Sequence, residues 1–215
     1  DSTVVEIALR SLAVTIVALA ISTVLGIPLG AWLALTRFPG KRLLTTLIYT
    51  GMGLPPVVAG LVVFLFLSRS GPFGDLGWLF TIKAMVIAQV IIATPLIIGV
   101  TMSSVAGVDP ALRPQLRALG ATSWQATWAQ LFEARFGVIV GIVAGFGSII
   151  SEVGAVMLVG GNIDGKTRVL TTAVVLETRQ GNFDLALALG IILLLISFLA
   201  NAALVALQSK TNVTT

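Results

Sequence analysis

Five stretches of this chain are each long and apolar enough to cross a lipid bilayer, and that limits the possible folds more than any motif does. A spanning helix needs about 20 mainly apolar residues. Residues 12–36, 43–67, 78–105, 138–159 and 185–207 meet that length. In hydrocarbon every backbone amide must be bonded internally, so stretches of this kind form helices. Composition agrees, with 57% hydrophobic and 10% charged residues and a mean hydropathy of +1.05. A soluble domain of that make-up would leave a very large apolar surface in water. The chain therefore reads as an all-α integral membrane protein with about five transmembrane helices, forming one domain over residues 1–215.

The residues that are missing narrow the chemistry. The chain has no cysteine and no histidine, which removes disulfides, thiol nucleophiles, the usual zinc sites and any Ser-His relay. No catalytic residue and no metal site are assigned. The formal charge of +4 is scattered between loops, without the basic run that nucleic acid would require. The opening segment lacks the basic n-region of a signal peptide.

The charged residues fall between the apolar stretches. Arg37, Lys41 and Arg42 surround Pro39-Gly40 and separate the first two spans, while Lys83 lies near the start of the third, where its stem can snorkel to the interface. Residues 160–184 hold Asp164, Lys166, Arg168, Glu177, Arg179 and Asp184, with an apolar core too short to span, and should form an extramembrane loop with one short helix ending at Gly181. If the Arg37–Arg42 turn and residues 108–137 share a side, that side carries seven basic residues, Lys210 among them, against six opposite. The positive-inside tendency then makes it cytoplasmic, with the N-terminus outside and the C-terminus in the cytoplasm.

Several spans contain helix breakers. Gly26, Pro28 and Gly30 interrupt the first, Gly51, Gly53, Pro55 and Pro56 the second, and Pro95 the third. Proline removes a backbone hydrogen bond, which lipid tolerates only where protein or water satisfies the freed carbonyl. Such sites either pack against neighbouring helices or line a pathway. In the fourth span Gly137, Gly141 and Gly145 form a small-residue stripe suited to close helix packing. Glu152 follows, and a carboxylate within a span is either functional or tied to a backbone donor.

Residues 108–137 form a polar interruption that carries the pattern RALGATSWQATW. Leu112, Leu116 and Leu119 repeat at helical spacing before Gly120, and Trp124, Trp128 and Leu131 repeat after it, giving two one-sided helices. Gly120 suits a left-handed helix end, while Thr122 and Ser123 suit an N-cap. Such a pair can lie on the bilayer as ordinary surface helices or offer a rigid knob to a soluble partner.

Leu119-Gly120-Ala121 resembles the centre of the cytoplasmic "EAA" loop of ABC-transporter permeases. The flanks depart from that pattern, with Pro114-Gln115-Leu116 in place of Glu-Ala-Ala, Gln130 in place of Ile and Phe132-Glu133 in place of Leu-Pro. Elsewhere Arg37-Phe38-Pro39-Gly40-Lys41-Arg42, the stretch from Gly53-Leu54-Pro55-Pro56 to Gly60, Ser151-Glu152-Val153-Gly154-Ala155 and Gly160-Gly161-Asn162-Ile163 are similar to permeases of the molybdate, tungstate and sulfate group. The second half most resembles its tungstate branch. The resemblance implies a type I ABC importer permease fold with a cytoplasmic coupling-helix loop, in the inner membrane. It implies import of tungstate by a homodimer, with molybdate or sulfate as alternatives. The implied partners are a second copy, two ATP-binding cassette subunits that use ATP and Mg, an external substrate-binding protein and the bilayer. No cofactor is assigned to this chain. Leu116, Leu119, Gly120, Ala121, Thr122, Ser123 and Trp124 would couple to the ATPase. Pro55, Pro56, Glu152, Val153 and Val156 would line the gate or path, and Lys166 and Arg168 would receive the binding protein.

Two other classes use Glu152 differently. An intramembrane enzyme would need a nucleophile and base that the spans do not supply. A proton-coupled secondary transporter usually shows matched halves, which five spans cannot provide within one chain.

Overall fold

A computed structural model describes residues 2–211, and in the last helix it describes side chains up to Ala203 and at Ala206. The side chain of Lys210, counted above among the basic residues, lies outside the described residues. The chain is helical, from α1 (Ser2–Leu35), α2 (Lys41–Met52), α3 (Pro56–Leu67) and α4 (Ile82–Ala106) to α5 (Leu112–Ala118), α6 (Ser123–Glu133) and α7 (Arg135–Ile150). It continues through α8 (Gly154–Gly160), α9 (Leu170–Arg179) and α10 (Phe183–Thr211).

Helix α4 is the hub. Its Ala84, Met85, Ala88, Ile92 and Ala93 are buried in the main core with Val14 and Ala18 of α1, Ala59 and Val63 of α3, Ile149 of α7 and Val156 of α8. Helices α1 and α4 approach closely at Gly30, where an added Cβ would sit 2.7 Å from the Ile98 carbonyl oxygen. The small-residue stripe of α7 also packs against the hub, with Gly137 against Ser104, Gly141 against Val100 and Gly145 against Ile97. Small residues let apolar helices pack at short range in a medium that offers no hydrophobic drive.

The boundaries of four predicted spans differ from the structure for identifiable reasons. Helix α1 starts at Ser2 instead of residue 12, because its first turns are anchored by other parts of the chain. Arg10 donates to the carbonyls of Arg168 and Gly165 at 3.0 and 3.1 Å, and Leu170 N donates to Ser11 Oγ at 2.7 Å. Residues 43–67 are not one straight helix, since α2 and α3 meet at a bend of 103°. Pro55 and Pro56 lack the amide protons that would continue α2, and Pro56 begins α3 in the first-turn position where that loss is harmless. The third span begins at Ile82, after a turn in which Phe80 N donates to the Val159 carbonyl at 2.8 Å. Residues 138–159 break at 151–153 into α7 and α8.

Among the described residues three helices are long and apolar enough to span alone, and the number reaches five if α2–α3 and α6–α7, bent by 103° and 63°, each count as one span. Residues 160–184 are less loop-like than the charges suggested. The N-terminal half of α9, Leu170 to Ala173, is buried, and Leu170 and Ala173 join Ile7 of α1 and Leu189 of α10 in a second apolar cluster. Helix α1 thus runs from this cap to the opposite end of the bundle, where α5 and α6 lie.

Candidate coupling site and translocation path

The junction of α5 and α6 is fixed by backbone chemistry. At the end of α5, Leu119 N and Gly120 N donate to the carbonyls of Gln115 and Arg117, and Ala121 N donates to that of Leu116 at 3.0 Å. Gly120 has φ +89, and a Cβ there would meet nothing within 4 Å. The position needs glycine for its backbone angle, not for space. Thr122 then caps α6. Its Oγ1 accepts from Gln125 N at 3.2 Å, while Gln125 Oε1 accepts from Thr122 N at 2.7 Å, a reciprocal capping box. Ser123 is therefore the first helical residue and not the cap. Arg117 Nη1 donates across the junction to the Ala121 carbonyl at 2.9 Å.

This corner protrudes. Leu119 is 85% exposed at its tip, and an open cleft of about 630 Å³, bordered by Ser104, Asp109, Gln115 and Glu133, separates α5 from the α4 and α7 ends. Trp124, expected to couple to the ATPase, is 73% exposed. With Trp128 it lines a groove against the end of α1. Ala126 and Gln130, on the other side of α6, are buried.

The proposed path residues fall at or next to two helix interruptions. The α2–α3 bend at Pro55-Pro56 lies beside the α7–α8 break, since a Cβ on Gly154 would fall 2.6 Å from Val57 Cγ2 and one on Gly60 would fall 2.6 Å from Ala155 Cα. Glu152 caps α8 by accepting from Ala155 N at 2.9 Å, and its own carbonyl accepts from Thr171 Oγ1 at 3.0 Å. The carboxylate is thus tied to a backbone donor. Val156 is 1% exposed within the main core, so in a single chain it packs and does not line an opening, whereas Glu152 and Val153 are half-buried. Sequence reasoning passed over Gln89. This amide in an apolar span is buried in α4 and donates to the Ile149 carbonyl at 3.0 Å, bracing the end of α7. Its polarity was the available signal.

At the opposite end, Lys166 and Arg168 are not equivalent. Arg168 pairs with Asp164 at 3.1 Å. Lys166 is exposed and makes no ion pair among the described residues.

Residues 26–213 match the family described as "Binding-protein-dependent transport system inner membrane component". The chain belongs to this family. It is an integral membrane permease, a transport subunit and not an enzyme. Its relatives include a probable anion ABC transporter permease protein of Haloferax volcanii, 44% identical over 203 residues that cover 92% of this chain and 88% of the relative. The tungstate uptake system permease protein TupB of Peptoclostridium acidaminophilum is 39% identical over 210 residues, covering 98% of this chain and 92% of that one. In fold the chain is similar to a chain of the inward-facing MetNI methionine ABC transporter, with a TM-score of 0.76, 20% identity and 96% of both chains covered. The fold is that of type I ABC importer permeases.

Proposed function

We propose that the chain forms the path of an ATP-driven tungstate importer together with a second copy of itself. The observation that carries this reading is the 39% identity, over 98% of the chain, to a tungstate uptake permease. The 44% identity to a probable anion permease supports the same class of cargo. In this reading two ATP-binding cassette subunits bind ATP and Mg, and an external substrate-binding protein delivers the oxyanion. The N-terminus lies outside and the α5–α6 end in the cytoplasm.

The chemistry supports a division of labour. A protruding corner with a fixed angle at Gly120 and a capped α6 is suited to transmit force from the ATPase. Leu116, Leu119, Ala121, Thr122 and Ser123 belong to that corner. The Pro55-Pro56 bend beside Glu152 and Val153 supplies two helix interruptions at one place, where a reorienting bundle can open. The exposed apolar face of α3, with Val57, Leu61 and Leu65, offers a surface for the second copy to close the path, and there Val156 lies one layer behind. Lys166 remains as an unpaired cation for the binding protein, while Arg168 is neutralised by Asp164. Asp164 and Glu177 offset the basic residues of the same loop, which supports a weak path through the permease, with tight recognition left to the binding protein.

The test is ATP turnover by the complex reconstituted with its binding protein and challenged with tungstate, molybdate or sulfate. Tungstate is expected to stimulate at the lowest concentration. Stimulation by sulfate or molybdate at lower concentration than tungstate would reassign the cargo.

A further inference from the structure

The end of α1 and one side of α6 enclose a groove of about 610 Å³ that has no part in the roles proposed for the corner, the path or the binding-protein face. Val24, Pro28 and Trp32 of α1 form one wall, and Trp124, Trp128 and Leu131 of α6 form the other. Val24 and Trp124 are 71% and 73% exposed, so the groove is unfilled by this chain. It follows α1 from Thr23 to Thr36, a rise of about 20 Å, against about 15 Å for the hydrocarbon of one leaflet.

Two observations identify what fits there. Three of the chain's four tryptophans, Trp32, Trp124 and Trp128, line this one groove, and tryptophan gathers at the level of the lipid headgroups. Arg113 of α5 also borders the groove. It is half-buried and has no hydrogen-bond or ion-pair partner among the described residues. A guanidinium set in an apolar wall needs an anion, and a phosphate oxygen matches its fork of donors. A soluble subunit can reach the protruding corner at Leu119 but not the depth of Val24, which lies about three turns further along α1 from Thr36.

We propose that this groove binds an anionic phospholipid from the leaflet on the α5–α6 side, with an acyl chain between α1 and α6 and the phosphate on Arg113. The lipid would then wedge α6 at a set distance from α1. Membrane composition would in this way reach the element that carries the protruding corner.

Tryptophan quenching by brominated lipid tests this directly. The chain carrying Trp78→Phe retains only the three groove tryptophans. It is placed in phosphatidylcholine nanodiscs that contain a minor fraction of brominated phosphatidylglycerol or brominated phosphatidylcholine. A charge-assisted contact predicts about a tenfold preference for the brominated anionic lipid. Arg113→Gln is expected to abolish the preference and Arg113→Lys to keep part of it. Equal quenching by the two headgroups in the parent chain would mean ordinary boundary lipid and overturn the proposal. Absence of quenching by either would mean that the groove is closed by protein, such as a second copy of the chain, and would also overturn it. A preference that survives Arg113→Gln would remove the phosphate from Arg113.

Discussion

Gly120 joins two helices through a left-handed backbone angle at which any side chain is strained although space is open around it. The cost for most residues is about 1 kcal/mol or more, and asparagine tolerates the angle better than valine. Gly120→Val is therefore expected to lower transport per ATP hydrolysed in reconstituted vesicles while ATP hydrolysis persists, and Gly120→Asn to be milder. Coupling in the valine variant equal to that of the parent would refute the role assigned to this corner. Gly30 illustrates the other demand on glycine, since an added Cβ would strike the Ile98 backbone. Gly30→Ala should cost about 1–3 kcal/mol by overpacking. Gly147→Ala, where a Cβ meets nothing within 4 Å, should be neutral or gain up to about 1 kcal/mol from helix propensity. Thermal unfolding in detergent orders the two, and the reverse order would refute the close approach of α1 and α4.

Among the elements, the α9 cap joins distant parts of the sequence. Arg10 on α1 holds the carbonyls of Gly165 and Arg168, one contact partly buried and the other exposed. Arg10→Gln should weaken the closure of residues 161–169 by about 1 kcal/mol, seen as about fivefold faster proteolysis of that segment. Unchanged proteolysis would show that the apolar cluster around Leu170 suffices. This cap also marks where the sequence was hard to read. The apolar lengths of the spans were legible because lipid demands them, and so was Gly120, because a glycine before a Thr cap has a local meaning. The first ten residues of α1 were not, since their helix depends on partners more than 150 positions away. The 103° bend was legible as a proline site but not as an angle. The break between α7 and α8 was hidden because Gln89 and Thr171, from other elements, hold its ends. Val156 looked like a path residue because apolar side chains in a span look alike whether they face a core or an opening.

At the scale of the whole molecule, α1 links the two ends of the bundle, one tied to the α9 cap and the other bordering the α5–α6 corner. An importer needs the first end to meet the delivery protein outside and the second to meet the motor inside. The proposed orientation thus carries the whole functional reading. It can be probed cleanly because the chain contains no cysteine of its own. The decisive measurement is on Leu119→Cys, placed at the exposed tip, in sealed, right-side-out vesicles containing the assembled complex. The account predicts no labelling by a membrane-impermeant maleimide added outside, labelling once the vesicles are opened, and a crosslink to the ATP-binding subunit. Labelling from outside, or the lack of any crosslink to that subunit, would contradict it.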